Sequence, residues 1–91
     1  MRVRVRFEPG VSTATTDNGA LIMLCEATGT MHQCNPTATV IWTELVKHDG
    51  DTDAAALAVA AYYDADIELV RTDLNLLVDR LDHASLVRVE R

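Results

Sequence analysis

Apolar residues recur along this chain with two periods, first at every second position and later at every third or fourth. Residues 2–7 alternate Arg/Val, Arg/Val, Arg/Phe, the signature of a strand with one wet face. Glu8-Pro9-Gly10 breaks the alternation. Val11–Thr16 is rich in β-branched residues and predicts a second strand, and Asp17-Asn18-Gly19 predicts a tight turn, its Asn-Gly pair suited to a type I′ hairpin. Ala20–Cys25 is apolar on both faces and is expected to be the central strand. Ala27-Thr28-Gly29 turns the chain again into Thr30–Cys34, short and too polar for a core strand, hence an edge.

From Asn35 the period changes to that of a helix. Asn35 is a favoured N-cap, and Pro36 suits the first helical position, where a missing N–H costs nothing. Ala38, Ile41, Trp42 and Leu45 then recur at i, i+3, i+4 and i+7, and the helix is expected to end near Lys47-His48. After the loop Asp49-Gly50-Asp51, Thr52 is the expected cap of an alanine-rich helix from Asp53 to about Tyr63, with Asp53 complementing the helix dipole. Asp66 is the expected cap of a third helix, Ile67–Asp82. Its core stripe is Val70, Leu74, Leu77, Val78 and Leu81, and Leu69, Asp73, Leu76 and Arg80 lie on an adjoining face. His83-Ala84-Ser85 loosens that helix, and Leu86–Val89 reads as a final short strand.

This order predicts a single α+β domain over residues 1–91 of winged helix-turn-helix type: an N-terminal antiparallel three-stranded sheet, three helices and a short C-terminal strand, with 1–10 as an extension or extra strand. Pairing the strands as a tight hairpin puts Leu21, Met23, Cys25, His32 and Cys34 on one face, expected inward. Ile22, Leu24, Met31 and Gln33 share the other, expected to be partly covered by the N-terminal segment, with any exposed remainder a surface for a partner. The register also holds Cys25 and Cys34 several residues apart, too far for a disulfide, so both are expected as free thiols in a reducing compartment.

Charge and chemistry narrow the function. The net charge is −6, and from Glu8 to Glu68 the only basic side chain is Lys47, so that surface repels phosphate. The third helix carries Glu68, Asp73, Asp79 and Asp82 against Arg71 and Arg80, a poor balance for nucleic acid. No apolar run approaches the ~18 residues of a membrane span, and no apolar segment follows the basic N-terminus as in a signal peptide; a cytoplasmic protein with no membrane partner is expected. His32, His48 and His83 are scattered. His32, Cys34 and Cys25 lack the spacing of a zinc site, and Asp49, Asp51 and Asp53 miss the glycine and glutamate of a calcium loop. No metal, cofactor or catalytic residue is therefore expected. Trp42 and the Tyr62-Tyr63 pair, at helical spacing, are expected in the core.

The run Ala20-Leu21-Ile22-Met23-Leu24-Cys25-Glu26-Ala27-Thr28-Gly29, followed by Asn35-Pro36-Thr37-Ala38 and Ile41-Trp42, resembles the PqqD-like domains, the precursor-peptide recognition elements of ribosomally made, modified peptides. Asp73-Leu74 with Leu77 and Leu81, then Leu86-Val87, resemble the third helix and tail of that family, so the likeness runs from about Val11 to Val89. Met31, His32 and Cys34 depart from it, standing where the family usually has aromatic residues and leucine. A free-standing chain of this length is most similar to the lasso-peptide version, which binds the leader of a precursor and presents it to a separate leader peptidase.

The resemblance implies a non-enzymatic adaptor. The leader would add as a strand along Thr30, Met31, His32, Gln33 and Cys34 and lie in a cleft against the third helix. Such leaders share a Tyr-x-x-Pro-x-Leu segment, often with lysines nearby. Val70, Leu74 and Leu77 would meet its apolar side chains, and Asp73, with Asp66 or Glu68 at the helix start, a lysine. Two alternatives stand beside this reading: a PqqD-like chaperone serving a radical-type modifying enzyme, and a winged-helix DNA-binding protein.

Overall fold

The computed structural model describes residues 4–90. Its elements, in chain order, are β1 (Arg4–Phe7), β2 (Val11–Thr15), β3 (Leu21–Cys25), β4 (Met31–Cys34), α1 (Pro36–Lys47), α2 (Thr52–Tyr63), α3 (Ile67–His83) and β5 (Val87–Glu90). Arg2 and Val3, which the alternation assigns to the first strand, lie outside the described residues.

The strands divide into two sheets, a correction to the expected single N-terminal sheet with a lone final strand. One is three-stranded and antiparallel in the order β2-β3-β4; the other pairs β1 with β5, the two ends of the described chain. The alternation explains the second sheet. Val5 lies opposite Val89 and Phe7 opposite Val87, so the apolar halves of both strands face the core together. Arg4, Arg6 and Arg88 occupy the wet face, where Arg6 pairs with Glu90, and Arg88 Nε lies 3.2 Å from Glu8 Oε1. The N-terminal strand is thereby committed to β5 instead of covering the outer face of the three-stranded sheet.

β1 is also tied along its other side. The Val5 amide donates to Gly50 O at 2.8 Å, Arg4 bridges to Asp51, and Arg4 Nη1 donates to Asp49 O at 2.9 Å. Gly50 makes this approach possible. Its φ is +82°, and a Cβ there would stand 1.9 Å from Val5 O, so no other residue fits without moving a strand.

The three-stranded sheet has the expected faces. Leu21 lies opposite Cys34 and Met23 opposite His32, and Leu21, Met23, Cys25 and Cys34 are buried. Cys25 and Cys34 are unbridged. The β2–β3 turn is not type I′, because Asn18 does not take a positive φ. Gly19 alone does, at +86°, closing a three-residue loop through Gly19 N to Thr16 O at 3.0 Å and Thr16 N to Ala20 O at 2.8 Å.

The helices cover the inner face. Val70, Leu74, Leu77, Val78 and Leu81 of α3 are all buried, the full predicted stripe, alongside Ile41 and Leu45 of α1 and Ala55, Ala56 and Val59 of α2. Each large apolar side chain so buried contributes roughly 1.5–3 kcal/mol before entropy is counted. Two caps match expectation: Asn35 Oδ1 accepts from Ala38 N at 2.8 Å with Pro36 as the first helical residue, and Asp66 Oδ1 accepts from Glu68 N at 2.9 Å. The third differs. Asp51, not Thr52, caps α2, accepting from the amides of Asp53 and Ala54, while Thr52 is buried as the first helical residue.

The tyrosines depart from the expected core, whereas Trp42 packs against its margin. Trp42 is only half-buried and meets Phe7 edge to face at 5.0 Å, fastening β1 to α1. Tyr62 and Tyr63 are both exposed and pack on each other at 4.8 Å. No helix among the described residues is long and apolar enough to cross a membrane.

Candidate functional site

β4 pairs with β3 on one side only, and no other described strand lies against its far side. The ladder fixes which of its groups are free. In an antiparallel pair, alternate residues turn both their N–H and C=O toward the partner strand. Cys25 N donates to Thr30 O at 2.9 Å, so His32 and Cys34, in step with that pair, point their backbone groups at β3, while the Thr30 amide donates to Thr28 Oγ1. Met31 and Gln33 therefore direct theirs away, onto the open edge. Their side chains stand on the outer face opposite Leu24 and Ile22, and Met31 is 66% exposed. His32 is half-buried and Cys34 2% exposed on the inner face. Burial pushes the Cys34 thiol above its usual pKa, whereas hydrogen bonds from Thr28 lower that of Cys25.

Where β4 ends, a groove begins. One cavity of about 350 Å3 runs between the start of α1 and the middle of α3, walled by Asn35, Thr37, Ala38 and Ile41 on one side and Asp73, Leu76, Leu77 and Arg80 on the other. A second, of about 250 Å3, continues toward the α2–α3 turn and shares Thr37, Ile41 and Asp73 with the first. Val59, Tyr63, Leu69 and Val70 make it mainly apolar. The exposed Leu69 and Leu76 stand along this track at 66% and 54% accessibility and add apolar surface to its rim.

Of the residues singled out from the sequence, Val70, Asp73 and Leu77 line the groove, Met31 and Gln33 lie on the edge strand that leads into it, and Thr30 stands exposed just before that strand. Leu74 is 1% exposed and lines neither cavity; it holds α3 from behind. Asp66 spends its carboxylate on the cap of α3. The whole α1 wall was missed, since nothing local in Asn35–Ile41 says which helix it will face. Leu69, Leu76 and Arg80 were visible as an adjoining face of α3, and the apolar character of Leu76 off the core stripe was the usable signal. No group of three or more His, Cys, Asp or Glu side chains able to hold a metal occurs among the described residues.

Comparison with known proteins adds to this geometry. The sequence profile of the family described as Coenzyme PQQ synthesis protein D (PqqD) matches residues 20–87. Two solved structures share the fold. TbiB1 in complex with the TbiA(beta) leader peptide is 23% identical, with a TM-score of 0.81 over 91% of this chain and 94% of that one. Lasso peptide synthetase B1 complexed with the leader peptide is 26% identical, with a TM-score of 0.78 over 93% of this chain and 98% of that one. No curated protein sequence matches the chain.

Proposed function

The chain belongs to the PqqD family, and from that premise we propose that it binds the leader segment of a ribosomally made precursor peptide, of the lasso type, without itself catalysing a reaction. The leader adds as a fourth strand to the three-stranded sheet, along β4, and continues into the groove between α1 and α3. A separate leader peptidase then receives the peptide in this extended form.

The observation that carries the reading is the open edge together with the groove at its end: the amides and carbonyls of Met31 and Gln33 face outward, and the groove that follows is of mixed lining at first and mainly apolar further on. Main-chain pairing gives general affinity, and the groove gives selectivity. The likeness to a lasso peptide synthetase B1 complexed with its leader peptide supports the choice of ligand. Asp73, on the shared wall of both cavities, takes a basic side chain of the leader.

The test is fluorescence polarisation with labelled synthetic leaders of candidate precursors. Saturable binding is expected for the wild type. Gln33→Pro, which deletes an outward N–H without touching the β3 ladder, should weaken it at least tenfold. Full affinity in that variant would overturn strand addition, and no binding of any leader would overturn the assignment.

A further inference from the structure

Six Lys or Arg side chains lie among the described residues. Arg4, Arg6, Lys47 and Arg88 each have a carboxylate partner within ion-pair distance. Arg71 and Arg80 have none among the described residues, and of these two Arg80 lines the groove. Arg80 stands in the last turn of α3, where a cation also complements the helix dipole. His83 shares that turn, yet it does not line the groove. A guanidinium on the wall of a cleft with no carboxylate partner among the described residues stands out in a chain of net charge −6.

Asp73 lies on the same wall, also exposed and without an ion pair among the described residues. Asp73 and Arg80 are about two helical turns apart, roughly 10 Å along α3. Between them the wall is Leu76 and Leu77, facing Ile41 and Ala38 of α1. The first cavity therefore presents a carboxylate at one end, a largely apolar middle and a guanidinium at the other.

We infer that Arg80 is a specificity residue that takes an acidic side chain of the bound peptide, and that together with Asp73 it reads the order of charges along that peptide. This rests on the leader-binding reading. An extended chain turns every second side chain to the same face, about 7 Å apart for two positions and about 13 Å for four, so with ~10 Å to bridge the preferred ligand carries a basic and an acidic residue two or four positions apart, on the face turned to α3. A peptide lying in the reversed direction would set like charges against each other at both ends, so the pair also fixes polarity, which the backbone pairing of an edge strand leaves open.

Selection from a randomised peptide library displayed on phage tests this with the intact chain. Peptides retained by the wild type should be enriched in a basic and an acidic residue at one of those spacings, and Arg80→Glu should retain peptides in which the acid is replaced by Lys or Arg. For one selected peptide, Arg80→Gln should lower affinity by about fivefold, as fits a solvent-exposed pair. Its alanine variant at the acidic position should bind wild type and Arg80→Gln alike. Identical selections on wild type and Arg80→Glu would overturn the role of Arg80 while leaving leader binding intact, provided Gln33→Pro still abolishes retention. A wild type that retains no peptide would overturn both.

Discussion

Two strand edges in this molecule meet opposite fates. The outer side of β1 is closed by the chain itself: Val5 pairs with Gly50, Arg4 bridges to Asp51, and the guanidinium of Arg4 reaches Asp49. The outer side of β4 has no such cover, and a groove begins at its end. Edge strands invite association, and natural proteins blunt them with charge, proline or a covering segment. β4 carries no proline and no Lys or Arg. The molecule closes the outer side of β1 with its own chain and leaves both edges of the three-stranded sheet, β2 and β4, unpaired among the described residues; of these two, β4 is the one that runs straight into the groove.

The contrast can be broken from the closed side first. Gly50→Ala should be the most damaging change, since the added Cβ would stand 1.9 Å from Val5 O at a φ of +82°. A loss of about 3 kcal/mol is expected in urea unfolding. On the open side, Gln33→Pro should shift the urea midpoint little, by less than about 1 kcal/mol, because its N–H has no partner to lose; a large loss would mean the edge is covered. At the junction of strand and groove, Asn35→Ala removes the cap of α1 and should cost about 1 kcal/mol, read as a lowered Tm. Smallest is Asp73→Lys, expected to weaken a lysine-bearing leader by under ~1 kcal/mol in polarisation assays, an effect that fades with added salt.

Much of this was legible in the chain. The two faces of β3 and β4 follow from alternation, and the stripe of α3 from its period, because both patterns are local and each is enforced by burial of one face. The destination of β1 was not legible. An Arg/Val strand announces a wet face and a dry one, but not that its partner lies at the far end of the chain. Asp51 displaced Thr52 as a cap because two acceptors stood side by side, and only the bridge to Arg4 settles where the loop ends. The exposure of Tyr62 and Tyr63 escaped a helix whose alanines give it apolar character all round, so no stripe marks its inner face. For the groove, α3 supplied readable residues, whereas the α1 wall depends on how two helices meet.

The register of β1 against β5 has a practical corollary. Because Arg4 faces Glu90, the chain enters and leaves the described structure side by side. A linker of a few residues could join those positions into a ring, and a fusion partner could hang from either without choosing a different exit. Such a covalent circle or tethered fusion should leave the edge of β4 and the groove beside it as they are, since neither lies at the joined ends.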